Sequence, residues 1–290
     1  MSRTTSRGPA SVELLCETFQ VSRQAYYGAR KAPAVPAPRK RQAPPGAFTP
    51  TAEAVEAIRS VCAFQPVWGV RKVWACLKRQ HRIVSRKRVW VLMAMLGLLQ
   101  QPVALHDEER RGTVTVATSN RRWATDLTTV WTKQDGLVAV VPVIDCGDRV
   151  LLACEVTKSQ ASPAILAAVE QSMRAAFVDP GNVPDGFELR TDHGPQYTGG
   201  DCQDFCGLWR IDHTFAPVGR PTGNAVAERV ILTLKIELVW ARDWDSADEL
   251  RAAIQAWMKV YNSERPHQSL AWATPCERRA QNLSDRTVAA

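Results

Sequence analysis

The strongest constraint on this chain is a change of hydrophobic period near residue 120. Ahead of it, apolar residues recur three and four apart, the spacing of helices. Beyond it, the runs Arg122 to Trp131, Leu137 to Ile144 and Val150 to Val156 read as three strands. Gln134-Asp135-Gly136 and Cys146-Gly147-Asp148 between them read as hairpin turns. A helix is expected from about Pro163 to Phe177, with Ile165, Ala168, Val169 and Met173 in register. Then come a strand ending at Asp192, a helix over residues 200–209, a short strand around Thr214-Phe215 and a helix through Glu228 to about Trp240. A last helix opens at the capping box Ser246-x-x-Glu249 and carries Leu250, Ile254, Trp257, Met258 and Tyr261 on one face. Strands alternating with helices place this part among α/β folds.

The N-terminal third differs in charge as well as in period. Residues 1–112 hold 19 Lys and Arg against 7 Asp and Glu, and the remainder holds 18 against 22. The whole positive excess of a chain with net charge +8 therefore lies ahead of the strands. That segregation points to nucleic-acid binding in the first part and cation binding in the second. Residues 1–30 read as a short helix-turn-helix-like segment, with Val12, Leu15, Cys16 and Phe19 at helical spacing and Ser22 capping a second helix. Residues 31–50 are a Pro-rich basic linker, where six prolines exclude a helix. Residues 51–100 read as a helical DNA-binding module. Ser85 caps its third helix and puts Arg86, Lys87 and Arg88 in the first turn, where cations oppose the helix dipole unless a phosphate lies nearby. Residues 101–120 are a polar connection, 121–282 the second domain and 283–290 a tail.

Three acids stand out in the second domain. Asp126 lies in the first strand-like run, Asp192 where a strand ends, and Glu228 at the start of a helix, with 35 residues between the last two. Carboxylates brought from separate elements are what two divalent cations about 4 Å apart require. Lys235 follows Glu228 by seven residues, so both lie on one helix face. A cation there can hold a phosphate beside metal ions.

Four motifs in order carry a family resemblance. They are Trp123-x-x-Asp126-x-Thr128, Thr191-Asp192-x-Gly194-x-x-Tyr197, Gly223-Asn224-Ala225-x-Ala227-Glu228 with Leu234-Lys235-x-Glu237, and Tyr261-Asn262-x-x-Arg265-Pro266-His267-x-x-Leu270. The chain resembles the DDE transposase and retroviral-integrase superfamily, most closely the OrfB proteins of bacterial insertion sequences. The resemblance spans residues 115–280 strongly and 10–100 more loosely. It implies a ribonuclease-H-like catalytic core, a mixed five-stranded sheet with flanking helices, preceded by an all-α helix-turn-helix-like region. It implies metal-dependent DNA cleavage and strand transfer, with Asp126, Asp192 and Glu228 as catalytic metal ligands for two Mg²⁺ (or Mn²⁺) ions. Lys235, Arg86, Lys87 and Arg88 are the expected DNA contacts. The implied partners are the transposon ends and target DNA, further copies of the chain, and an OrfA protein, joined or separate. His193 departs from the family pattern and stays outside the catalytic set. Arg265 and His267 are expected either to touch DNA or to fix their turn against the catalytic helix, with the structural role slightly favoured. A catalytically silent DNA-binding or regulatory derivative is the alternative; a simple nuclease would leave Lys235 and the basic third unexplained.

The eight cysteines are scattered without a CxxC pair and read as reduced, mostly buried thiols. Cys202, Cys206 and His213 have ligand chemistry, but half of the usual zinc spacing is missing. No apolar run reaches membrane-span length and no signal-peptide core opens the chain, so the expected location is the bacterial cytoplasm, near the nucleoid.

Overall fold

The computed structural model describes residues 50–82, 85–100, 115–216 and 224–289. The expected helical segment in 1–30, the linker in 31–50 and most of the connection in 101–120 lie outside the described residues.

Three helices open the described chain: α1 (Ala52–Phe64), α2 (Val70–Arg79) and α3 (Arg86–Met95). Each begins as its sequence dictates. Thr51 Oγ1 accepts the Ala54 N–H at the start of α1, and Ser85 Oγ accepts the Arg88 N–H at the start of α3. The apolar stripes meet inward, burying Ile58, Val73, Leu77, Val89, Leu92 and Met93.

The sheet consists of β1 (Arg122–Thr125), β2 (Thr128–Thr132), β3 (Gly136–Asp145), β4 (Leu151–Thr157), β5 (Glu188–Thr191) and β6 (Asp212–Phe215). The single first strand expected from Arg122 to Trp131 is broken at Asp126-Leu127. Both halves keep the same antiparallel register on β3, with Trp123 opposite Asp145 and Thr128 opposite Val140. Six segments thus occupy five rows, ordered β4, β3, β1 with β2, β5, β6. The first three rows are antiparallel, while β1–β5 and β5–β6 are parallel. This is the mixed sheet of a ribonuclease-H-like core.

Helices cover both faces because β3 is apolar at nearly every position. Val138, Val140 and Ile144 face α7 (Ala225–Glu237) and α8 (Ala247–Ser263), where Val230, Leu234, Leu250 and Trp257 fill the layer. Ala139, Val141 and Val143 face α4 (Ser162–Phe177) and α6 (Gly200–Leu208), packing with Ile165, Val169, Cys202 and Trp209. A four-residue helix, α5 (Pro195–Thr198), precedes α6. Trp123 is fully buried, stacked on Phe177 at 5.6 Å and edge-on to Phe187 at 5.0 Å, a packing residue.

The C-terminus corrects one expectation. The stretch assigned to a tail from 283 belongs to α9 (Pro275–Ala289). Thr274 Oγ1 accepts the Glu277 N–H and Glu277 accepts the Thr274 N–H, a reciprocal capping box with proline at the first helical position. Arg279 then binds the fully buried Asp145 and Asp148, and so fixes the helix to the end of β3.

Three contacts tie the N-terminal helices to the core. Arg79 forms a bidentate pair with Glu277, both bonds 2.6 Å long. Trp74 meets Trp272 edge-on at 6.1 Å, and Trp272 holds a left-handed φ of 72°, a strained conformation for a bulky residue. Lys72 Nζ lies 2.7 Å from Glu237 Oε1 at the end of α7, and Arg265 Nε donates to the same carboxylate at 3.0 Å and 3.1 Å. The Glu237 side chain is only 3% exposed, so removing it strands two cations where water cannot replace it. Glu237→Ala is expected to cost about 3 kcal/mol in urea unfolding. A cost within about 0.5 kcal/mol would show that the triad contributes little.

Candidate active site

The parallel pairing of β1 with β5 sets the site. Trp123 lies opposite Leu189 and Ala124 opposite Arg190. Carried two residues further, that register brings Asp126 level with Asp192, each just past the end of its strand. The break after β1 takes Asp126 out of the ladder, and its Oδ1 accepts the Leu127 N–H at 2.8 Å. Asp192 turns the chain into α5, with its Oδ1 accepting the Gly194 N–H at 2.9 Å. Tyr197, fully buried in α5, puts its hydroxyl 3.4 Å from Thr125 Oγ1 and so holds the two strand ends together.

Glu228 reaches the same place from α7. Asn224 caps the approach, its side-chain amide donating to the Thr125 carbonyl at 2.9 Å. That bond fixes the start of α7 one residue from Asp126, with exposed Glu228 in the first turn and half-buried Lys235 two turns on.

The electrostatics record the convergence. Burial, then the Asp192 and Glu228 carboxylates, push Asp126 up to about 6, while the Leu127 N–H and the Lys235 ammonium pull it the other way. The three other groups that the sequence placed in this site, Asp192, Glu228 and Lys235, all act on this carboxyl. Hard carboxylate oxygens around one partly buried space, with mutual repulsion to relieve, fit hard divalent cations.

The other expected residues fall into two groups. Arg86, Lys87 and Arg88 sit exposed in the first turn of α3, which holds no acid. Arg86 borders an open groove of about 920 Å³ that the sequence did not announce, where Lys78 and Arg86 lie over Trp74 at 5.6 Å and 5.9 Å and Trp272 forms a wall. Arg265 and His267, by contrast, are buried at 9% and 8% exposure. Burial and then the Arg265 charge push His267 down to about 2, so it stays neutral and holds its turn, as the sequence favoured. His193 is exposed and stacked on Phe215 at 4.8 Å, beside the acids but not among them.

Two family models described as integrase core domain match residues 117–221 and 209–275, and one described as an HTH-like domain matches 51–103. The transposase InsD of insertion element IS2A/D/F/H/I/K from Escherichia coli is 29% identical over 253 residues, spanning 79% of this chain and 80% of that protein. The chain carries an integrase core domain and is similar to insertion-element transposases. InsD of element IS2-9 from Escherichia coli K12 is likewise 29% identical, over 79% of this chain and 78% of that one. Among solved structures, a simian T-cell lymphotropic virus intasome aligns with a TM-score of 0.48 at 15% identity, over 77% of this chain and 74% of that chain, too low to bear weight. No described helix is long and apolar enough to cross a membrane.

The raised Asp126 makes a signed prediction for the metal-free chain. Its folded pKa of about 6 exceeds the ordinary 3.8, so the ionised carboxylate opposes folding above pH 6. That penalty disappears as pH falls from about 6 toward 4, where the folded state takes up the proton first. Asp126→Asn is therefore expected to raise the melting temperature at pH 7.5 in chelator, with the gain fading by pH 4. A gain independent of pH would remove the electrostatic cause.

Proposed function

We propose that this transposase holds divalent metal ions between Asp126, Asp192 and Glu228 and there cuts and joins DNA during transposition of an insertion sequence. The observation that carries the reading is the meeting of three carboxylates, from a strand break, a strand end and a helix start, with a lysine on the same helix. Bound Mg²⁺ (or Mn²⁺), two ions in this reading, would supply an activated attacking oxygen and charge relief on the leaving one. In the first reaction water attacks a phosphodiester at the element's end and leaves a 3′-hydroxyl. In the second that hydroxyl attacks a target phosphodiester in line, so one P–O bond forms as another breaks.

The protein's own groups position and neutralise rather than bond covalently. Asp126 and Asp192, fixed by backbone N–H bonds, define one wall of the space. Glu228 closes it from α7, and Lys235 faces the terminal phosphates. Arg86, Lys87 and Arg88, with Lys78 along the groove floor, run against the backbone of the transposon end. Action as an oligomer on paired ends, and a supplying OrfA partner, belong to the same proposal; the intact acid trio favours it over a silent DNA-binding derivative.

The test is Mg²⁺-dependent cleavage and joining of a labelled duplex carrying the element's end, with OrfA supplied. Asp192→Asn is expected to lower both products by at least about 10³-fold with DNA binding retained, the scale of metal charge stabilisation. Equal activity of the two proteins would sink the assignment. Replacing Arg86, Lys87 and Arg88 by alanine should flatten the slope of log affinity against log salt by about 3, roughly one per lost phosphate contact, for any duplex sequence. An unchanged slope would place the DNA elsewhere.

A further inference from the structure

A second cluster of ligand-type side chains joins α6 to β6, the strand paired with β5. Cys202 and Cys206 are four residues apart on α6, so both thiols leave the same face, one turn apart. Cys202 is fully buried and Cys206 is 5% exposed. His213 reaches them from β6, and its Nδ1 lies 4.0 Å from Cys202 Sγ. The two sulfurs and a ring nitrogen all fall within 4.8 Å of one another, the only such group among the described residues.

A hydrogen-bond chain sets the orientation of the histidine. Thr191 Oγ1 donates to the Asp192 carbonyl at 2.8 Å, which uses its only proton. The same oxygen lies 2.9 Å from His213 Nε2 and must therefore accept from it. The proton of the neutral ring is thereby placed on Nε2, and Nδ1 presents its lone pair toward the sulfurs. Holding one ring nitrogen by a neighbour while the other faces a soft cation is how ligating histidines are commonly oriented.

We propose that Cys202, Cys206 and His213 form a binding site for one zinc ion, or another soft divalent cation. Tetrahedral zinc bonds of about 2.3 Å to sulfur and 2.0 Å to nitrogen would bring the donors to between about 3.5 and 3.8 Å of one another. The side chains need to close by no more than about 1.3 Å to reach that spacing. Two thiols and an imidazole select zinc over magnesium, so this site and the hard oxygens of the acid trio sort their ions by softness. Zinc binds thiolates, so loading releases the thiol protons, and the fourth position is left to water. The ion would join α6 to β6 and, through His213 and Thr191, brace the backbone at Asp192. This inference is independent of the reaction assigned to the acids.

The test titrates Co²⁺ into the reduced, metal-free full chain and reads thiolate-to-cobalt charge transfer. Cobalt at the acid trio meets only oxygen and gives no such band. The expected result is a band saturating at one ion per chain, displaced by Zn²⁺ and unchanged in Asp192→Asn. Cys202→Ala should abolish it. His213→Gln, which keeps a group able to bond Thr191, should weaken cobalt binding at least tenfold while circular dichroism confirms the fold. Thr191→Val should weaken it by about 10- to 100-fold through the lost orientation of the ring. Absence of the band at stoichiometric Co²⁺, or a band of equal strength in Cys202→Ala and His213→Gln, overturns the site and leaves two buried thiols packed in the core.

Discussion

Everything at the active site depends on the parallel register of β1 on β5. The pairing of Trp123 with Leu189 and Ala124 with Arg190 leaves no freedom in where the chain leaves the sheet. Both strands end at a buried threonine, Thr125 and Thr191, and both are followed by an aspartate. A slip of one residue would turn one carboxylate to the wrong side of the sheet and bury a polar group in the Trp123 layer. The apolar side chains that enforce this register therefore place the charges as well. Folding holds carboxylates together against their repulsion, and a cation would relieve that strain.

Helix α7 brings the rest of the molecule to that point. Its N-terminus is tied to the Thr125 carbonyl by Asn224, its first turn offers Glu228, and its last turn holds Lys235 and Glu237. Glu237 is bound by Lys72 from the N-terminal helices and by Arg265 from the loop after α8. One helix thus joins Glu228, Lys235 and the seam to the N-terminal helices. The seam is made of a buried ion triad, an exposed Arg79–Glu277 pair and an edge-on tryptophan contact, of which the triad has the greatest consequence if broken.

Much of this was legible in the residues. The shift from helical to alternating period marked the start of the sheet, and Ser85 and Ser246 marked helix starts that the structure confirms by side-chain caps. The acids were found by motif, and their convergence follows from strand order. Other features needed the third dimension. The break at Asp126-Leu127 was hidden because both halves of the strand continue one apolar pattern on β3. The C-terminal helix carried its own signal, Thr274-Pro275-x-Glu277, overlooked behind a polar composition. Lys72 and Glu237 are 165 positions apart, and local pattern cannot pair such residues. Cys202, Cys206 and His213 lacked a familiar ligand spacing because the histidine arrives from a strand rather than from the same helix.

The most direct test of the central claim is the anomalous scattering of Mn²⁺ in crystals of the chain. The account predicts manganese density bounded by the carboxylates of Asp126, Asp192 and Glu228, and its loss from that space in Asp192→Asn. Manganese bound elsewhere, or density there that survives the substitution, would contradict it.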